Sequence, residues 1–468
     1  MSRRLVIRNV TIDRRHGLDV AVEDGRIIDI APDLPGASEE IEGRGGRLLP
    51  GLCDHHIHLM ALAAKQASVD LSQARDLPGV AGRIAEAAAS SPPGAWIRSL
   101  GYHERIGGEL TRADLDRLAP RHRLRMQHQS GALWMLNSLA LAALPQGPLP
   151  PCVECDSRGA PTGRIWRGDR WLREQIGAEP PPLAPVGRML AAKGVTHLTD
   201  ASVTTDETAA DLLAEAHRRG ELPQHLTLMS GGRLAAPQDA AFAVGPVKIL
   251  LDDHNLPDLG HFAERIAGAR DQGRRVAVHC VTAGEMALTL AAFEIAGAQS
   301  GDRIEHGGVI PAAAIPLIRA MGLTVVTQPV FVRERGDRYW AEVSERDQAD
   351  LYRCASLLNA GVPVAGSSDA PYASADPWAG MAAAVERRTA SGMPLGEGEQ
   401  IGWSAAVDLY LGSPQMPGGR RRRVKPGAPA DLCLMRPLTA ADAHPDAAMV
   451  AATLIAGEIA YLAENIPI

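Results

Sequence analysis

At 468 residues with a net charge of −7 and 22% charged residues, the chain can bury a large core and lacks the basic excess that nucleic-acid binding needs. Six cysteines in so long a chain make no disulfide framework, which points to a reducing compartment. The first residues carry Arg3 and Arg4 but no apolar run of signal length, and no stretch of about 18 apolar residues follows, so a cytoplasmic protein without a membrane span is expected.

In chain order, Leu5 to Thr11 alternates apolar and polar residues, Asp19 to Val22 repeats the habit, and Arg26 to Ile30 follows the turn Glu23-Asp24-Gly25. At the other end Ala430 to Met435, Met449 to Ile455 and Ile459 to Leu462 are again short strands. Each set alone is too small to bury a face, so the termini are expected to combine into one small β-domain, from residues 1–52 and 424–468.

Between them, Pro50 and Gly51 turn the chain into Leu52-Cys53-Asp54-His55-His56-Ile57-His58. Side chains two apart on a strand share a face, so His56 and His58 can aim ring nitrogens at one point while His55 points away. Asp54 lies on the same face and is placed to buttress them. After His58 the chain turns helical, with periodic runs at Leu77 to Ala89 and Arg112 to Leu118, and residues of about 62–185 hold no recognisable barrel strand. An excursion of that length is expected to cap the site, with Tyr102, His128, Arg164 and Trp166 as candidate substrate contacts.

From about residue 186 helix and strand alternate. Val195–Asp200, His225–Ser230, Val247–Leu251, Val276–Cys280, Arg303–His306, Leu323–Gln328 and Val362–Gly366, with the His56 strand, make eight, the rhythm of a (β/α)8 TIM-like barrel over residues 53–423. His56, His58, Lys248, His279, His306 and Asp369 each lie in, close or soon follow one of these strands, where catalytic residues of such barrels converge. Neutral imidazoles suit zinc and similar metals. His279 and His306 can also be read as buried histidines bonded to carbonyls, and Asp369 as a helix N-cap. Lys248, in the apolar run Val247-Lys248-Ile249-Leu250, is costly to bury as a free ammonium. It is either paired with Asp252 or converted to a carbamate able to bridge two metals. The run Arg420 to Arg423 reads as a solvated turn, and Cys152 and Cys155 as a C-x-x-C lacking a second pair.

These motifs resemble the amidohydrolase superfamily, in its branch of N-substituted formamide deformylase-like, metal-dependent hydrolases. The resemblance is carried by Pro50-Gly51-Leu52-Cys53-Asp54-His55-His56-Ile57-His58, Val247-Lys248-Ile249, Val278-His279, Arg303-Ile304-Glu305-His306, Gln328-Pro329 and Gly366-Ser367-Ser368-Asp369-Ala370-Pro371. Further matches are Asn137-Ser138, Pro161-Thr162-Gly163-Arg164 and Asp376-Pro377-Trp378. It implies a barrel with a small β-sandwich domain from both termini and a cap inserted after the first barrel strand. It also implies one or two divalent ions, zinc foremost, with His56 and His58 on one, His279 and His306 on the other, and carboxylated Lys248 as the bridge. Asp369 would bind metal and shuttle protons during cleavage of a carbon–nitrogen bond other than a peptide bond, in an amide, formamide or cyclic ureide.

The alternatives are a lactone or ester hydrolase on the same metal site and a barrel without catalysis. Thr282 stands where mononuclear deaminases of the superfamily tend to carry glutamate, which argues against deamination. The cap departs from the branch: His128-Gln129-Ser130-Gly131-Ala132 stands where Arg-x-Asp-Gly-His is usual, so the substrate does not transfer. The expected partners are a small-molecule substrate and, as a homodimer, a second copy, with no nucleic acid and no membrane.

Overall fold

The computed structural model describes residues 4–144, 147–177, 180–438 and 444–464. The chain forms two compact units, Met1–Leu59 with Leu183–Ile468, and Met60–Pro182. No helix among the described residues is long and apolar enough to cross a membrane.

In the first unit eight parallel strands pair in chain order: Leu52–Ile57, Val195–Asp200, His225–Ser230, Ala243–Ile249, Val276–Cys280, Arg303–His306, Thr324–Thr327 and Val364–Gly366. Strands covered on both faces need near-continuous apolar runs, and Val276, Ala277 and Val278 or Val325 and Val326 supply them, all fully buried. This is a (β/α)8 barrel. The last strand meets the first through two sets of backbone bonds. At one level Gly366 N donates to Leu409 O and Cys53 N to Tyr410 O, both at 2.9 Å. At the carboxyl ends Asp369 N donates to His56 O (2.8 Å) and His58 N to Ala370 O (2.9 Å). The closing seam therefore holds the histidine clamp directly against the loop that carries Asp369.

The terminal segments form the β-sandwich expected of them. One four-stranded sheet is N-terminal (Arg4–Ile12, Arg15–Glu23, Arg26–Ala31, Glu39–Glu42). The other joins Leu48–Pro50 to Leu432–Met435, Val450–Ile455 and Glu458–Leu462. Leu5, Ile7, Val20 and Ile41 pack with Leu432, Leu434 and Leu454 in the shared core, where each sheet buries the face it could not bury alone. The arginine run is not wholly solvated: Arg422 is half-buried and donates to Gly51 O and Gly412 O, so it ties the run to the turn before the first barrel strand.

The second unit has a six-stranded sheet where the sequence suggested only helices and turns. The helices Leu77–Ala89 and Arg112–Leu118 are as expected. The strands Trp96–Tyr102, Arg123–His128, Leu133–Leu136 and Pro161–Trp166 were not. In Arg123–His128 only Leu124 and Met126 are buried, while Arg125 lies over the Trp96 and Trp134 rings at 5.9 and 5.7 Å. Cation–π pairing lets arginine-rich alternation form a sheet face.

At Gly366 an added Cβ would sit 2.6 Å from ring carbons of Tyr410, whereas Gly82, on the exposed side of the helix Leu77–Ala89, has nothing within 4 Å. Gly366→Ala is expected to lower stability by about 1–3 kcal/mol through overpacking. Gly82→Ala is expected to raise it by roughly 0.5–1 kcal/mol through reduced backbone entropy in the unfolded chain. Urea unfolding of the two variants checks both signs.

Candidate metal centre

The first strand buries His56 and ends one residue before His58, so the two rings meet edge to face with centroids 5.3 Å apart. The His306 ring lies 4.7 Å from that of His56 and 4.4 Å from that of His279. Asp369 completes the group: its Oδ1 is 3.1 Å from His58 Nε2 and 3.5 Å from His56 Nε2, and its Oδ2 is 3.9 Å from His306 Nδ1. Lys248, 2% exposed, belongs to the same electrostatic neighbourhood as Glu305, Asp369 and His279. The structure thus gathers all six sequence candidates at the carboxyl ends of the strands.

Two of these residues have left-handed backbones, His306 at φ 67° and Asp369 at φ 53°. Neighbours on a regular strand face opposite ways, yet both Glu305 and His306 meet His56. The turned backbone at His306 accounts for this, a strained conformation of the kind that collects at functional sites. Asp369 is not a helix N-cap; that place is taken by Asp376, which accepts from Trp378 N ahead of the helix Pro377–Glu386. Asp54 accepts from Ser368 N (3.0 Å) and His56 N (3.2 Å), bracing both sides of the seam, and burial pushes its carboxyl up to about 6.

The hydrogen bonds behind the rings decide what the rings can do. His56 Nδ1 meets Glu305 Oε2, and an ionised carboxylate only accepts, so the proton sits on Nδ1 and Nε2 keeps a lone pair. Arg303 holds Glu305 through Nε at 2.6 Å and also donates to His55 O at 2.7 Å. His306 Nδ1 donates to Gln328 Oε1 at 2.9 Å, with the Gln328 amide oriented by its bond to Ser367 Oγ. His58 Nδ1 lies 3.0 Å from Ser202 Oγ. Burial holds the pKa of His56 and His306 well below the ordinary value and lowers that of His279 to about 4, so the rings are neutral, the form that ligates metal.

This leaves lone pairs facing lone pairs. Asp369 Oδ1 is buried without a hydrogen-bond donor, although imidazole nitrogens flank it, and a divalent cation would turn that repulsion into attraction. Imidazole and carboxylate oxygen are the donors that zinc and its neighbours prefer. Lys248 Nζ is likewise buried without a partner, and burial lowers its pKa. The pairing with Asp252 considered from the sequence is not formed. A divalent metal held by His56, His58 and Asp369, with His279, His306 and Lys248 beside them, fits the residues present.

The substrate candidates lie in the other unit. Tyr102 is buried and donates to Gly108 O at 2.7 Å. His128 bonds Glu104 Oε2 (2.8 Å) and Ser130 Oγ (2.7 Å). Trp166, 45% exposed, donates to Glu154 Oε2, and Arg164 stacks over its ring while pairing with the same carboxylate at 3.5 Å. Sequence reasoning gave no role to Glu305, Arg303, Gln328 and Ser202. Arg303, Glu305 and Gln328 stand inside the quoted motifs, but nothing local in the sequence pairs them with His56 or His306. Thr282 is accounted for structurally, as the N-cap of the helix Ala283–Ala296 in a capping box with Glu285.

The sequence model of the amidohydrolase family matches residues 39–461. Over 88% of each chain the protein is 25% identical to the N-substituted formamide deformylase of Arthrobacter pascens. It is 27% identical, over 80% of each, to the putative amidohydrolase YtcJ of Bacillus subtilis. Among solved structures, an uncharacterised metal-dependent hydrolase from Pyrococcus furiosus superposes with a TM-score of 0.73 at 20% identity, covering 92% of this chain and 98% of the other.

If Glu305 fixes the metal-binding tautomer of His56, Glu305→Gln should weaken metal binding about 10- to 100-fold, the usual cost of losing such a support. Competition against a calibrated chelator measures it. Cys152→Ser with Cys155→Ser, remote from the clamp in sequence and part of the other unit, should leave metal content unchanged.

Proposed function

Because this chain belongs to the amidohydrolase family, we propose that it hydrolyses a carbon–nitrogen bond other than a peptide bond, in an amide, formamide or cyclic ureide. The observation that carries this is the convergence of His56 Nε2, His58 Nε2 and the donor-less Asp369 Oδ1. A divalent cation bound there, for which zinc is our choice, supplies Lewis acidity toward a carbonyl oxygen and toward water.

The chain's own residues do the rest. His56, His58, His279 and His306 would hold the centre, and burial keeps His56, His279 and His306 in the neutral, donating form. Asp369, beside the clamp, would take the proton of the attacking water and pass it to the departing nitrogen. We assign Lys248 as a carboxylated bridge. A carbamate would offer two oxygens and a negative charge where an unpartnered ammonium would repel a cation. A cytoplasmic location suits the six cysteines, all of them free thiols.

Two experiments test this reading. A panel of N-formyl, N-acyl, ureide and lactone compounds, offered to zinc- and manganese-loaded protein, should show turnover of the nitrogen compounds, and hydrolysis of lactones alone would reverse the assignment. Lys248→Ala should lose at least one metal equivalent and nearly all activity, with partial return of both in added short carboxylic acids. Lys248→Arg should not be rescued, since its permanent cation still fills the space. Full occupancy and activity in Lys248→Ala would remove the bridge.

A further inference from the structure

The run Arg420 to Arg423 divides its four cations among different surroundings. Arg422 turns inward, donating to Gly51 O and Gly412 O and reaching His197 Nδ1 at 3.3 Å. Arg421 is shared between two carboxylates, Asp408 Oδ1 at 3.2 Å and Asp13 Oδ1 at 3.8 Å. Arg423 is exposed, and among the described residues its side chain has no hydrogen-bond or ion-pair partner. The same holds for Arg47, which immediately precedes the strand Leu48–Pro50.

These side chains meet in a cavity of about 140 Å³ inside the first unit, where the terminal sandwich adjoins the barrel. Arg47, Arg421, Arg422 and Arg423 line it against only two carboxylates, Asp13 and Asp408, so among the described residues an excess of two positive charges faces a common space. The rest of the wall is apolar, with Ile12, Leu49, Val407 and Val424 beside the half-buried ring of Trp403. That ring is backed by the His444 ring, 5.1 Å away, whose Nε2 meets Glu386 Oε1 at 3.1 Å. Like charges gathered around one space repel until an anion lies between them, and the open guanidinium edges of Arg47 and Arg423 are shaped to receive one. A volume below the roughly 300–1,000 Å³ of ordinary ligand sites admits a small molecule and excludes a polyanionic chain. Pro50, which also lines the cavity, is separated from His56 by about 20 Å of extended chain, so this is not the metal clamp.

We propose that this cavity is a binding site for a small phosphate monoester with a flat, apolar organic group. Such a monoester carries close to two negative charges at about pH 7, which matches the excess of two cations, and its oxygens suit the planar guanidinium fork. Trp403 and the apolar wall take the organic group. Arg47 enters from the sandwich and Arg423 from the segment that returns to it after the barrel, so an occupant spans both and stabilises the folded chain by mass action. The inference is independent of which bond the metal centre cleaves.

Calorimetric titration of the metal-loaded full chain with phenyl phosphate, inorganic phosphate and benzoate tests this. Phenyl phosphate should bind about tenfold or more tightly than inorganic phosphate, which lacks the apolar group, and than benzoate, which carries one charge. It should also raise the melting temperature. Arg47→Gln and Arg423→Gln should each weaken phenyl phosphate about tenfold, the scale of a hydrogen bond to a charged group, and Arg423→Lys should retain part of the affinity. Both side chains are exposed, so metal content and the melting temperature without ligand should stay as in the wild type. Arg420→Gln, in the same run but outside the cavity lining, should bind as the wild type does. No binding of phenyl phosphate, equal affinity for inorganic phosphate or benzoate, or an equal loss in Arg420→Gln overturns the site. So does unchanged affinity in both Arg47→Gln and Arg423→Gln, the result expected of an anion held at the metal instead.

Discussion

Glu305 is inaccessible to water, and its charge is balanced by Arg303 on one side while it receives the Nδ1 proton of His56 on the other. Arg303 in turn donates to the carbonyl of His55. This chain of bonds runs from the sixth strand across to the first and sets three things together. It fixes which nitrogen of His56 is bare, holds the first strand in place, and satisfies two buried charges that would otherwise cost several kcal/mol each. A buried ion pair is weak ground for stability by itself. Here its use is orientation, because an imidazole with its proton on the wrong nitrogen cannot ligate.

The seam of the barrel works to the same end. Where the eighth strand returns to the first, backbone bonds from Asp369 N and His58 N cross the gap at the level of the clamp, and Asp54 bridges the same two segments through Ser368 N and His56 N. The carboxylate and the imidazoles are consequently placed by main-chain geometry and not by flexible side chains alone. The left-handed backbones at His306 and Asp369 are the local cost of turning both side chains inward.

The barrel was legible because short strands, some of them apolar runs such as Val276-Ala277-Val278, alternate with helical stretches. Val195–Asp200, Val276–Cys280 and Arg303–His306 appear at the bounds the sequence suggested. The terminal sandwich was legible for the complementary reason: alternating strands too few to stand alone. The six-stranded sheet of residues 60–182 was not, since arginines and tryptophans are interleaved along its strands, a pattern that reads as polar loop until cation–π stacking is seen. In the site, the histidines announced themselves by spacing, whereas Glu305, Gln328 and Ser202 act through contacts between distant strands that no local pattern encodes. Arg422 was misread for a similar reason, its partners being carbonyls far away in sequence.

We propose that bare imidazole nitrogens and an unpartnered carboxylate oxygen define a cation site next to a lysine carried as its carbamate. Anomalous diffraction from crystals grown with zinc and bicarbonate tests this most directly. The account predicts an anomalous peak bounded by His56 Nε2, His58 Nε2 and Asp369 Oδ1, with extra density continuous from Lys248 Nζ toward it. A zinc peak found only elsewhere, for instance among His103, Glu104 and His128, whose donor atoms also converge, would contradict it.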